Sequence, residues 1–316
     1  MQNSKVYIII VTYNGMKWLP KCLESTKPYP VIVIDNNSND GTVDYIKKNF
    51  PEVTLLSQKE NLGFGQANNI GISYALKQGA DYVFLLNQDA YIVEDCIRQL
   101  VQVAEENRNF GILSPIHLNG TGTGLDRNFS YSLSFDKNSQ FYSDFVIGNK
   151  RKNVYRAPFV NAAAWLISKN ILHIIGGFDP IFFHYGEDVN FCQRLRYAKY
   201  SIGIVPDVFI CHDREFRSKN NFEKYSSEYY AEMENNFKIS NGDLNNSKYL
   251  KNINKQKESL KRKMIFSILK GSIKNYKIYK KEFLLIKNNT QKLKYSRRYN
   301  KKFLSSNAIF NDYNIR

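Results

Sequence analysis

The chain has 316 residues, 43% hydrophobic and 14% aromatic, which is ample for a real core and excludes a disordered chain. Its longest apolar runs, such as residues 6–11 and 82–86, fall far short of the roughly 18 that span a bilayer. The polar start at 1–5 is unlike a leader peptide, so a cytoplasmic protein is expected. The net charge of +16 is lopsided: residues 237–316 hold 21 Lys+Arg against 4 Asp+Glu, whereas the first 236 hold 24 against 25. A nearly neutral front and a basic tail point to a polyanionic surface as partner, although the chain's general richness in Lys, Asn, Ile and Tyr accounts for part of the excess.

The first half alternates strand and helix signals. "VYIIIVTYN" is a buried strand, "GMKWLPKCLEST" a short helix, and "VIVIDNNSNDGT" a strand running into a turn-rich loop. "TVDYIKKNF" is a helix with Thr42 as its expected cap. "VTLLSQ" is a strand, "GQANNIGISYALKQG" a helix closed by Gly79, and "DYVFLLNQDA" a strand again. Continuous apolar strands separated by helices of about ten residues predict a mostly parallel sheet covered on both faces. Residues 118–152, rich in Gly, Asn, Ser and Asp, read as a long loop near the site. "VNAAAWLISKNILHIIGGFDP" reads as strand, helix and Gly-Gly turn, and "GIVPDVFICHD" as a further strand. After Asp213 the strand signals stop. Phe222, Tyr225, Tyr229, Met233 and Phe237 have helical spacing, as do Ile265, Leu269, Tyr276, Tyr279, Phe283 and Ile286. The expected organisation is an α/β domain over 1–213 and a helical basic region over 214–316. The four cysteines form no CxxC or Cys/His cluster and read as free thiols.

In doubly wound sheets ligands bind beyond the carboxyl ends of the strands. Asn14, Asp35, Asn87 and Asp89 each end an apolar run, which puts them on that edge. An aspartate at position 35 either accepts the imide N–H of a pyrimidine base or nucleates an Asx turn. The glycines of "NLGFGQANNIG" let backbone approach a phosphate at a helix start, or simply make a tight loop. Asp89 ends the most apolar strand, where an unpaired carboxylate is costly. With Asn87 it can present oxygens to a divalent cation, or it caps a helix. His212 ends another strand and is the best candidate ligand among the four histidines; a hydrogen-bonded structural role is the alternative. In "IFFHYGEDVNFCQRL", Glu187 and Asp188 either begin a helix or supply a catalytic base whose pKa neighbouring rings raise.

Together, "VTYN", "IDNNSNDGT", "NLGFGQANNIGI", "LLNQDA", "GGFDPIFFHYGEDVNFCQRL" and "VFICHD" occur in the order found in inverting family 2 glycosyltransferases of the GT-A fold, and the chain most resembles their bacterial rhamnosyltransferase-like branch. The resemblance covers about residues 5–240. It implies that Thr12, Tyr13, Asn14, Asp35 and Asn37 hold the nucleotide, with Gly63, Phe64, Asn68, Asn87 and Gln88 near the diphosphate or donor sugar. It implies that Asp89 and His212 serve Mg²⁺ or Mn²⁺, and that Asp188 is the general base with Glu187 beside it. Trp165, His184 and Tyr185 are the implied acceptor contacts. Asn87 stands where the family's DxD motif begins with an acid. "QRLRY" resembles the QxxRW motif of processive synthases, but it lies on the same helix as the acids instead of downstream and reads as coincidence. The implied donor is a dTDP- or UDP-sugar, and the implied acceptor is a lipid-linked saccharide at the inner face of the membrane. The basic tail is then either an anionic-membrane contact or a packed appendage and homodimer surface. A nucleotidyltransferase and a nucleic-acid-binding protein are the competing classes; no helix-turn-helix, RRM or zinc pattern supports the second.

Overall fold

The computed structural model describes residues 4–214 and 222–305; the end of the basic tail, 306–316, lies outside them. Nine strands form one sheet in the order β3-β2-β1-β4-β8-β6-β9-β5, with β7 on β9. Strands β1 (Val6–Thr12), β2 (Val31–Asp35), β3 (Thr54–Ser57) and β4 (Tyr82–Asn87) run parallel. Strand β8 (Ala164–Ser168) is antiparallel to β4 and to β6 (Phe110–Asn119), so β6 and its parallel partner β9 (Ser201–His212) share the direction of β1. The short β5 (Ala90–Ile92) and β7 (Tyr155–Ala157) pair antiparallel to β9.

Alternation along the strands divides the core. Ile8, Ile10, Val31, Val33 and Phe84 face one layer, with helices α1 (Leu19–Glu24), α2 (Thr42–Asn49) and α4 (Cys96–Glu106). Ile9, Ile32, Ile34 and Leu85 face the other, with α3 (Gly63–Lys77), α7 (Lys169–Ile175) and α8 (Glu187–Tyr197). Each fully buried Ile or Leu side chain contributes about 1.5–3 kcal/mol of transfer free energy. Both faces are therefore covered, as the continuous apolar runs require.

Two elements depart from the pattern. Strand β6 contains Pro115, which removes a ladder donor. The register with β9 slips beside it, from Pro115↔Val205 to Ile116↔Phe209, so the proline sits at an irregularity rather than breaking the strand. The stretch expected to be loop holds α5 (Arg127–Ser130) and α6 (Phe135–Val146). Thr42 is the first residue of α2, not its cap. Gly41 takes the cap position at φ 85°, and the buried Thr42 hydroxyl accepts the N–H of Gly15 instead.

After His212 every described element is a helix: α9 (Ser227–Gly242), α10 (Tyr249–Leu269) and α11 (Ile273–Ser305). They share a small core of Phe237, Ile253, Leu260, Ile286 and Leu293, against which Ile181 packs. Polar ties fasten this unit to the front of the chain. Ser296 and Asn300 on α11 both donate to the buried carboxylate of Asp179, and Gln193 on α8 donates to the Ile239 carbonyl. Within the unit, Arg297 donates to the carbonyls of Asn241, Asp243 and Asn246. Ile265 and Leu269, two members of the helically spaced stripe, face outward.

Candidate active site

The register aligns the expected site on one edge. Thr12 pairs with Asp35 and Val11 with Asn87, so β1, β2 and β4 end level. Ala90 pairs with His212, which brings the end of β9 beside Asp89. A cavity of about 650 Å³ opens at the opposite edge, lined by Asp81, Glu105, Arg108 and Lys169 among others; no expected site residue lines it.

At the nucleotide end, Asp35 is buried. One carboxylate oxygen accepts the Ser38 N–H at 3.1 Å, so the Asx turn forms. The other, Oδ1, is buried and has no hydrogen-bond partner among the described residues. Both open readings of Asp35 therefore have an oxygen available. A buried acceptor without a partner costs about 1–3 kcal/mol, which a ligand N–H would recover. Tyr13 beside it is half exposed. Asn14 and Asn37 adopt left-handed φ of 49° and 67°; the Asn14 side chain accepts the Asn39 N–H, fastening the β1 and β2 loops together. Gln88 binds this end to β4: its Oε1 accepts the Thr12 hydroxyl at 2.7 Å and the Tyr13 N–H at 3.0 Å.

Gly63 opens α3 at φ 77°, and a Cβ there would stand 1.9 Å from the Phe183 carbonyl oxygen. Its small size admits the segment carrying the two acids. Phe64 packs edge-on against Phe178, and the buried Asn68 donates to the Phe64 carbonyl inside its own helix. Asn69, which the sequence reading missed, clamps the Phe178 backbone through both its amide and its carbonyl. Gln66 Nε2 in the first turn is buried without a partner among the described residues.

Asp89 and His212 meet at the centre. Asp89 Oδ1 is 3.4 Å from His212 Nε2, and Asn87 Nδ2 is 3.5 Å from the same nitrogen. A flipped Asn87 amide would aim its oxygen there. On the far side of the ring, Asp126 Oδ2 is 3.7 Å from His212 Nδ1. Asp126 is itself held by two 2.7 Å hydrogen bonds from Arg214 and by the Phe129 N–H. A carboxylate behind one imidazole nitrogen turns the lone pair of the other outward, the usual backing of a metal-bound histidine. Among the described residues no group of three or more His, Cys, Asp and Glu gathers for a metal. The donor set of Asp89 and His212 nonetheless fits a divalent cation that takes its other ligands from a diphosphate and water. Asp126 and Arg214 escaped the sequence reading. Their signals were an Asp three residues before a helical Phe, and a basic residue directly after "VFICHD".

Glu187 and Asp188 are the first two residues of α8, behind Gly186 at φ 94°. Their environments differ. Glu187 is buried, with Oε2 lacking a partner among the described residues. Burial first, and Asp188's charge second, push its carboxyl up to about 8. Asp188 is intermediate in exposure. Burial raises its pKa, while the N–H groups of Val189 and Ala162 draw it back down. Near neutral pH Glu187 therefore holds its proton, whereas Asp188 keeps two backbone N–H donors that favour its charged form.

The aromatic run divides as well. Phe182 is buried, whereas Phe183 and Tyr185 are more than 60% exposed, with the rings of His184 and Tyr185 4.0 Å apart. Tyr185 sits at φ 64°, unusual for a bulky residue, and Asn235 on α9 holds the loop through the His184 carbonyl. Trp165 departs from its expected role as acceptor contact. It is wholly buried in β8, packed against Phe178 and Phe191, because both faces of that strand are covered. Arg194 of "QRLRY" is also fully buried, and donates to the Ile175 and Gly177 carbonyls.

A mixed, mostly parallel sheet with helices on both faces and polar residues along its carboxyl edge is the architecture of the GT-A glycosyltransferases. The pattern of glycosyl transferase family 2 matches residues 7–173, and the chain belongs to that family. It is 26% identical to dTDP-rhamnosyl transferase RfbF of Shigella flexneri over 213 residues, covering 66% of this chain and 69% of that protein. It is 26% identical to rhamnosyltransferase WbbL of Escherichia coli over 236 residues, covering 69% and 87%. Among solved structures it resembles GalNAc-T7 with UDP, GalNAc and Mn²⁺ (TM-score 0.57, 18% identity, 76% of this chain and 48% of that one). It also resembles the mannosyltransferase PcManGT from Pyrobaculum calidifontis with GDP-Man and Mn²⁺ (TM-score 0.51, 18% identity, 76% and 63%). The chain spans less than two thirds of either of these. Family membership decides for a hexosyl-type transferase over a nucleotidyltransferase.

Proposed function

We propose that this enzyme transfers a sugar, rhamnose from dTDP-rhamnose as the leading case, with inversion to a lipid-linked or growing surface-polysaccharide acceptor, and that it needs Mg²⁺ or Mn²⁺. The names of the rhamnosyltransferase relatives support the sugar. The observation that carries the reading is a set of buried, unpartnered polar atoms near one edge: Asp35 Oδ1, Gln66 Nε2 and Glu187 Oε2. Such groups persist where a polar ligand completes them.

In this reading Asp35 accepts the base imide N–H, beside Tyr13. Asp89 and His212 hold the cation, which when bound supplies charge neutralisation on the leaving diphosphate. Asp188 takes the proton of the acceptor hydroxyl as that oxygen attacks the anomeric carbon from the face opposite the nucleotide. One displacement inverts the configuration without a covalent intermediate. Glu187, protonated, donates a hydrogen bond to the bound sugars. Phe183 and Tyr185 offer rings to the acceptor. The basic C-terminal region faces an anionic membrane that carries the lipid-linked acceptor, on its cytoplasmic side. No helix among the described residues is long and apolar enough to cross a membrane.

A thermal-shift screen of dTDP-, UDP- and GDP-sugars with and without Mn²⁺ tests the donor. Ligand at 100 times its Kd stabilises the native state by about 2.7 kcal/mol. The expected result is a shift with dTDP-sugars that grows with metal. No shift with any nucleotide sugar would overturn the reading.

A further inference from the structure

The end of α10 and the start of α11 are built inside out. Ile265, Phe266, Ile268, Leu269 and Ile273 are 57–79% exposed, while the small polar Ser267 between them is the buried one, its hydroxyl returned to the Lys263 carbonyl. A soluble helical hairpin places its apolar residues the other way round. These five lie at the tip of the hairpin, on either side of the turn at Gly271. Between Glu258 and Glu282 the chain carries eight Lys+Arg and no acid. Large apolar side chains at a tip, ringed by basic ones, match the layered chemistry of a bilayer: hydrocarbon beneath anionic headgroups.

The helices also relate this tip to the site. Lys281 on α11 lies 3.8 Å over the ring of Tyr230 on α9. From Lys281 back to Ile273 the helical rise is about 12 Å, and from Tyr230 forward to Asn235, which holds the His184 carbonyl, about 7 Å. The tip thus lies roughly 20 Å along the helix axes from the aromatic loop beside the acids. A hairpin seated in a membrane would set that loop above the surface, at a height matched to a saccharide standing on its lipid.

We infer that the α10–α11 tip is a membrane-docking element, its apolar residues entering the headgroup region of an anionic bilayer and its basic residues binding the headgroups. This rests on the membrane-facing reading proposed above and names the element responsible.

The test is flotation of the full chain with vesicles of phosphatidylglycerol and phosphatidylcholine, compared with phosphatidylcholine alone. The double variant Ile268→Asp/Leu269→Asp is run beside it, with nucleotide-sugar hydrolysis as the folding control. Selective flotation of the wild type with anionic vesicles, about tenfold or more reduced in the variant at unchanged hydrolysis, is expected. Equal flotation of both would overturn the tip while leaving a membrane role for the rest of the basic region. No flotation of the wild type would overturn both. A wild-type dimer that the variant converts to monomer, with vesicle binding unaltered, would make the tip a self-association surface and overturn the inference.

Discussion

Asp89 Oδ1 stands 3.4 Å from Nε2 of His212, both side chains almost wholly buried at the ends of neighbouring strands. In the proposed reading these two groups are two of the ligands of a divalent cation. Asp89→Ala is expected to abolish the metal-dependent part of nucleotide binding. In titration calorimetry with dTDP or UDP, the wild type should bind at least about tenfold more tightly with Mn²⁺ than without, and the variant equally in both. A metal-dependent gain that survives in the variant would remove Asp89 from the site.

In the same reading Asp126, 3.7 Å from His212 Nδ1, acts through His212. Asp126→Asn retains an oxygen for the Phe129 N–H but loses the charge behind the imidazole. The Mn²⁺ concentration needed for half-maximal nucleotide binding should rise about 10–100-fold, the usual cost of losing such a partner. Metal-free binding should be unchanged. A general loss of nucleotide affinity, independent of metal, would instead mark Asp126 as a fold residue.

These two residues show what the sequence could and could not disclose. Asp35, Asn87, Asp89 and His212 were legible because each closes an unbroken apolar run, and a parallel sheet aligns such ends. Asp126 was not. It lies in a Gly-, Asn- and Ser-rich stretch that reads as loop, and the bridge between Leu118 and Leu125, with the Asp126 N–H on the His117 carbonyl, returns the chain to His212. Trp165 misled for the opposite reason: periodicity cannot tell which face of a doubly covered strand meets a ligand. The glycines of "NLGFG" signal close approach correctly, but a sequence cannot say that the approaching group is the Phe183 carbonyl.

Glu187 makes stability depend on pH. Its folded carboxyl titrates at about 8, against about 4.3 in an unfolded chain. Between those values the folded state holds a proton that the unfolded state has released, so stability falls as pH rises through the window and levels off above it. The loss is on the order of a few kcal/mol. Urea unfolding of wild type and Glu187→Gln at pH 5 and pH 8.5 should show a smaller decline in the variant. Parallel declines would contradict the assignment.

The helical C-terminal unit is tied to the acid-bearing segment by Asp179. Asp179→Ala takes from the buried Ser296 hydroxyl and Asn300 amide their shared acceptor, at about 1–3 kcal/mol for the hydroxyl and less for the amide, which keeps the Ser296 oxygen. A drop in unfolding free energy of about 2–4 kcal/mol is expected by denaturant titration, with Asp179→Asn intermediate. A loss under 1 kcal/mol in the alanine variant would mean that the contact adds little.

The central claim is that Asp188 accepts the acceptor's proton, and Asp188→Asn tests it directly. The substitution preserves size and the oxygen that accepts the Val189 N–H. Single-turnover transfer should fall by about 10²–10⁴-fold, with the Kd for nucleotide sugar within about twofold of wild type. Transfer near the wild-type rate, with donor binding intact, would contradict the account.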